Sequence, residues 1–147
     1  MNLSELKKMP FSVYGDLTFR GKCPVEGVEQ VTFFNRLRTA HPDTWGKLAV
    51  HPRNEGLKTG GHIRAVARHR AEGMTPGAAD IIIPGAPAFI CELKRRDPTQ
   101  SAWQDGQVEY LTAAHDAGCF SCVAFGADAA WRAFGDWLER FAWKGTF

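Results

Sequence analysis

The chain has 147 residues, 44% apolar, 23% charged and 12% aromatic, with a net charge of +2. That is apolar material for one globular domain burying roughly two-thirds of its unfolded surface, while four cysteines are too few for a disulfide scaffold. Its apolar runs fall far short of the ~20 residues of a membrane span, and the first ten residues lack a secretory signal's apolar stretch and cleavage site, so a cytoplasmic protein with free thiols and no membrane partner is expected.

In chain order, residues 1–22 have weak periodicity and are expected to form an arm, or a short strand near Phe11 to Phe19, ahead of a single domain over 23–147. From Val25 to about Ala40, Val28, Val31, Phe34 and Leu37 recur at helical spacing until His41-Pro42 stops the helix. Trp45 to Val50 reads as a strand, followed by the polar turn His51 to Gly56. Gly60-Gly61 precedes a basic helix, Ile63 to Ala71, which Gly73 and Pro76-Gly77 end. Ala79 to Pro84 and Ala88 to Lys94 read as the strands of a hairpin turned at Pro84-Gly85. A helix is expected over Ser101 to Ala117, with Gly118 as its C-cap. A strand over Cys119 to Phe125 and an aromatic-rich helix over Asp128 to Trp143 complete the chain. This order implies an α/β fold with a central mixed sheet flanked by helices.

The charge is unevenly spread. Residues 36–72 carry eight basic and three acidic groups and four of the five histidines, whereas residues 97–147 carry three basic and seven acidic groups. A basic middle of this kind suits a polyanion, although long basic side chains also solvate helix faces.

Chemistry concentrates around the hairpin. On a strand Glu92 and Lys94 leave one face and Cys91 and Leu93 the other. If the hairpin closes, Asp80 comes beside Glu92 and two carboxylates converge. Hard divalent cations take such oxygen ligands, and their bound waters can be activated against a phosphate. A nearby lysine suits orienting that water or offsetting transition-state charge. The plainer alternative is a solvated strand end with Asp80 capping a turn, but apolar strands on both sides place these groups at a core edge, where unpaired charge is costly. Cys119-Phe120-Ser121-Cys122 has no second pair at a zinc spacing and reads as core packing.

The run Ala79-Asp80 with Glu92-Leu93-Lys94 twelve positions on resembles the PD-(D/E)XK nuclease core, with alanine where that pattern has proline. Glu26 and Gln30, the loop Pro52-Arg53-Asn54-Glu55-Gly56, and Gln107 with Gly118 extend the resemblance to the VRR-NUC branch, among its small stand-alone, phage-type members. The resemblance implies a restriction-endonuclease-like core and a metal-dependent endonuclease hydrolysing DNA phosphodiesters, in the host cytoplasm if phage-encoded. It implies that Asp80, Glu92 and the Leu93 carbonyl ligate Mg²⁺ or Mn²⁺, with Glu26 completing the site directly or through water. Lys94 would position the nucleophile, and Gln107 would orient Lys94 or the scissile phosphate. Arg53, Asn54, Lys58, Arg64, Arg68, Arg95 and Arg96 would grip the DNA backbone.

Glu29 and Gln104 are the competing residues for the helix carboxylate and the site glutamine. Glu26 shares a stripe with Gln30, Phe33 and Leu37, but is also a favourable acid in a first helical turn. The resemblance favours branched DNA such as Holliday junctions or flaps. The alternatives are a restriction or defence nuclease acting on duplex and a catalytically silent DNA-binding protein. A homodimer is expected, because two opposed cuts suit twofold symmetry and because Trp131, Phe134, Trp137, Leu138, Phe141, Trp143 and Phe147 offer aromatic surface.

Overall fold

The computed structural model describes residues 1–52 and 63–142. Four strands, β1 (Ser12–Tyr14), β2 (Ile81–Ile83), β3 (Phe89–Lys94) and β4 (Phe120–Phe125), form one sheet in the order β1-β4-β3-β2. β4 runs parallel to both β1 and β3, while β2 is antiparallel to β3. The helices are α1 (Leu3–Leu6), α2 (Glu26–Ala40), α3 (Trp45–Leu48), α4 (Ile63–Ala71), α5 (Gln107–Asp116) and α6 (Ala127–Trp137). The expected α/β class, mixed sheet and hairpin are all present, and α5 supplies the crossover that the parallel pair β3 and β4 requires.

Every residue of β3 is buried, because both faces of the sheet are covered. Phe89, Cys91 and Leu93 join a core with Phe33, Phe34 and Leu37 of α2 and Phe134 and Trp137 of α6. Ile90 faces the other way, into a core with Leu6, Phe11, Leu111, Val123 and Phe125. By strand alternation Glu92 and Lys94 share the Ile90 face.

Three stretches differ from the sequence reading. Trp45 to Val50 is not a strand: it forms α3, and Val50 makes only an isolated bridge to Ile82. The Trp45 indole packs edge-on against Trp137 at 5.0 Å, and Gly46 passes so close to His41 O that a Cβ would lie 2.6 Å from it, so aromatic burial overrides β-propensity here. The helix expected from Ser101 begins only at Gln107. Asp97 caps a short 3-10 turn over Pro98–Gln100, and Gly106, at φ +89°, lies so close to the Pro76-Gly77 backbone that a Cβ on Gly77 would sit 2.2 Å from the Gly106 carbonyl carbon and one on Gly106 2.9 Å from Pro76 O. The last helix is regular only to Trp137, and Leu138–Ala142 continue as a wider π-type turn.

Side-chain facing also differs within two helices. On α2, Val28 and Val31 are exposed, and the inward stripe is Glu29, Phe33, Phe34 and Leu37. Phe33 contacts both Trp131 and Phe134 edge-on, burying more apolar area than the valine stripe offers. On α6, Phe134 and Trp137 are fully buried, and Trp131 and Leu138 pack against the same core. Phe134 and Trp137, expected to offer aromatic surface to a partner, are therefore spent in the chain's own core. Phe141 remains exposed, and Trp143 and Phe147 lie outside the described residues.

All four cysteines are free, with Cys122 buried beside Cys91 in the sheet. Among the described residues, no helix is long and apolar enough to cross a membrane.

Candidate active site

The hairpin register pairs Ile81 with Cys91, which sets Asp80 opposite Glu92 just before β2 begins. The Leu93 N–H donates to Asp80 Oδ2 at 2.9 Å, locking that carboxylate against β3. A strand residue presents its N–H and C=O at the same edge, so the Leu93 carbonyl shares the Asp80 side. His51 anchors the other end of this corner, with its Nδ1 2.9 Å from Asp80 O and 4.0 Å from Asp80 Oδ1.

Glu92 and Lys94 are each 1% exposed, which is costly for ionisable groups unless they are partnered. Lys94 Nζ donates to Ala102 O and to Gln107 Oε1, both at 2.8 Å. It also lies 3.4 Å from Glu92 Oε1, 3.7 Å from Glu26 Oε1 and 4.7 Å from the centre of the Trp103 ring. Gln107 Nε2 donates to Glu92 Oε1 at 2.7 Å, and the Gln104 N–H donates to Gln107 Oε1 at 2.8 Å. These partners fix the amide orientation, since an ammonium and an N–H require an acceptor while a carboxylate requires a donor.

Burial, reinforced by the neighbouring Asp80 carboxylate, pushes the Glu92 carboxyl well above the usual carboxylate range, with Lys94 pulling the other way. Glu92 Oε2 is buried and has no hydrogen-bond partner among the described residues. Two converging carboxylates, one with an orphaned oxygen, are a donor set that fits a hard divalent cation. Among the described residues no group of three His, Cys, Asp or Glu forms a metal cluster. Such a cation would draw on Asp80, Glu92 and the Leu93 carbonyl, with water and substrate completing the shell in the manner of Mg²⁺.

The five residues Glu26, Asp80, Glu92, Lys94 and Gln107 line one cleft of about 520 Å³, together with Gln30, His51, Gln104 and Asp105. The two ambiguities separate geometrically. Glu29 is buried away from this group, its Oε2 accepting from the Ala127 N–H at the start of α6, while Glu26 faces Lys94. Gln104 meets the network through its backbone, whereas the Gln107 side chain bridges Glu92 and Lys94.

The basic residues are not gathered in the same way. Arg64 and Arg68 are exposed on α4, and Arg68 pairs with Glu72 at 3.7 Å. Arg95 donates to the Cys23 and Pro24 carbonyls, and Arg96 covers the Phe19 ring at 4.1 Å. Arg53, Asn54 and Lys58 lie outside the described residues. Sequence reasoning gave no role at Lys94 to Trp103 or the Ala102 carbonyl, because in a helix from Ser101 that carbonyl would be spent on the helix's own hydrogen bonds and Trp103 read as one residue of a helical stripe. His51 opens the polar turn, but nothing in the sequence joined it to Asp80.

Against known structures, the chain is similar to a solved VRR_NUC domain protein, with a TM-score of 0.66 at 19% identity, covering 85% of this chain and 97% of that one. No protein-family model matches the chain, and no curated protein matches it. The chain shares the fold of that VRR_NUC domain protein, here a four-stranded mixed sheet flanked by helices.

Proposed function

We propose that the protein is a Mg²⁺- or Mn²⁺-dependent endonuclease that hydrolyses DNA phosphodiester bonds. The observation that carries this reading is the buried corner in which Asp80 faces Glu92, Glu92 Oε2 lacks a hydrogen-bond partner among the described residues, and Lys94 is held beside them. The likeness in fold to a VRR_NUC domain protein adds support.

Asp80, Glu92 and the Leu93 carbonyl would hold the cation. When bound, it would supply Lewis-acid polarisation of the phosphate and a water of lowered pKa. Lys94, fixed by Ala102 O and Gln107 Oε1, would present its ammonium to the attacking water or to a non-bridging phosphate oxygen, where negative charge grows as the P–O bond breaks. Glu26, opposite Lys94 across the cleft, would complete the site directly or through water, and Gln107 would keep Lys94 and Glu92 in register. Arg64 and Arg68 on exposed α4 would contact the DNA backbone.

Branched DNA is the finer form of this reading, resting on the resemblance, and a homodimer goes with it because a four-way junction needs two opposed cuts. The test is incubation with Mg²⁺ and a panel of four-way, flap, single-stranded and duplex DNA. The expected result is cleavage that prefers the branched substrates, is lost with chelator, and is lost in folded Asp80→Ala, Glu92→Ala and Lys94→Ala. Equal activity in Asp80→Ala and wild type would overturn the assignment. Preference for linear duplex would move it to the restriction or defence alternative. Tight DNA binding without cleavage of any panel member would favour the silent binding protein.

A further inference from the structure

The residue after Lys94 turns away from the cleft and toward the chain that feeds α2. Arg95 Nη2 donates to Cys23 O at 2.8 Å and its Nε to Pro24 O at 3.1 Å. Cys23 and Pro24 directly precede Val25, the N-cap of α2, and Glu26 is the first helical residue. Val25 makes no side-chain capping hydrogen bond, so the entry of α2 is not fixed by a local cap.

Neighbours of Arg95 extend the same attachment. Asp97 Oδ2 accepts from the Gly21 N–H at 2.9 Å, Gln100 Nε2 donates to Gly21 O at 2.7 Å, and the Arg95 N–H donates to Ser101 Oγ at 2.7 Å. Residues 95–100 thus clip residues 19–24 to the end of the strand that carries Lys94. The start of α2 is distant from β3 in sequence, yet Glu26 Oε1 lies 3.7 Å from Lys94 Nζ.

We propose that Arg95 is a positioning residue: its forked hold on the Cys23 and Pro24 carbonyls seats Glu26 at Lys94. The hold stands on the geometry, and its effect on cleavage rests on the nuclease reading above. This departs from the sequence-level expectation that Arg95 grips phosphate, since two of its donors are engaged within the protein. A guanidinium suits the task because its planar fork serves two fixed acceptors at once. A lysine at this position keeps the charge but presents a single, flexible point of contact.

Arg95→Ala and Arg95→Lys test the proposal through three readouts on the full chain. These are hydrogen–deuterium exchange of the Val28, Glu29 and Gln30 amides, DNA binding over a salt series, and single-turnover cleavage in Mg²⁺. Both variants are expected to raise exchange at the start of α2 about tenfold and to slow cleavage by about 10- to 100-fold, with unchanged DNA affinity and salt slope. Adding Glu26→Gln to Arg95→Ala should cost little more than either change alone, because both act through one group. Unchanged exchange in Arg95→Ala would overturn the proposal. So would wild-type cleavage and exchange in Arg95→Lys, or a salt slope reduced by about one in Arg95→Ala, which marks a lost phosphate contact. A wild type that cleaves no DNA would defeat the nuclease reading and leave exchange to decide on the hold.

Discussion

Gln107 joins Lys94 to Glu92: its carbonyl oxygen accepts from Nζ at 2.8 Å and its amide donates to Oε1 at 2.7 Å. Gln107 is the first residue of α5, so the crossover helix sets the spacing of the two groups. Gln107→Ala takes one hydrogen-bond partner from each of two nearly inaccessible groups. It is expected to cost about 1–3 kcal/mol of stability, the penalty for unsatisfied buried polar groups, and to slow cleavage about tenfold or more. Denaturant titration and cleavage rates measure both. A fully stable, fully active Gln107→Ala would remove Gln107 from the network.

The two glutamates on α2 should separate stability from activity. Glu29 accepts from the first N–H of α6, where a carboxylate both caps the helix and meets its dipole. Glu29→Ala is expected to cost about 1–2 kcal/mol. Glu26 is 43% exposed in its side chain, so Glu26→Gln should change stability by less than about 0.5 kcal/mol while lowering cleavage. The reverse pattern would exchange their assignments.

Asp97 predicts an acid limb in stability. Hydrogen bonds from Thr99, Gly21 and Gln100 lower its carboxyl to about 2 from the ordinary 3.8. A folded-state value below the unfolded one means the contribution is complete above the unfolded pKa and lost as pH falls through the folded one. Stability should therefore drop between about pH 5 and pH 2 in the wild type, and by less in Asp97→Asn. Thermal unfolding across that window checks this, and parallel curves for the two proteins would contradict it.

On α4, Arg64→Ala and Arg68→Ala should weaken binding to all DNA shapes about equally and lower the salt slope by about one each. The Arg68 pair with Glu72 is solvent-exposed, so its loss should cost well under about 1 kcal/mol of stability. An unchanged slope would place both residues away from phosphate.

The hairpin was legible in the sequence because isoleucines, a Pro-Gly turn and strand alternation act locally, and together they forecast Asp80 facing Glu92. What escaped was set by distant partners. Trp45 prefers the Trp137 indole to a strand, and Phe33 draws the α2 stripe off the valines. Trp103 reaches Lys94 from the non-helical stretch ahead of α5, whose start lies beside the close approach of Gly77 to Gly106. Charge alone could not distinguish Arg95, engaged with backbone carbonyls, from Arg64, exposed on α4. Only a three-dimensional neighbour separates them.

Asp80 and Glu92 as a divalent-cation site are probed by calorimetric titration of Mn²⁺ into the wild type and Asp80→Asn. Removing one carboxylate charge from a site with two should weaken binding about tenfold or more, with the variant still folded. Equal Mn²⁺ affinity in the two proteins, or no Mn²⁺ binding by the wild type, would mean that these carboxylates do not hold the cation.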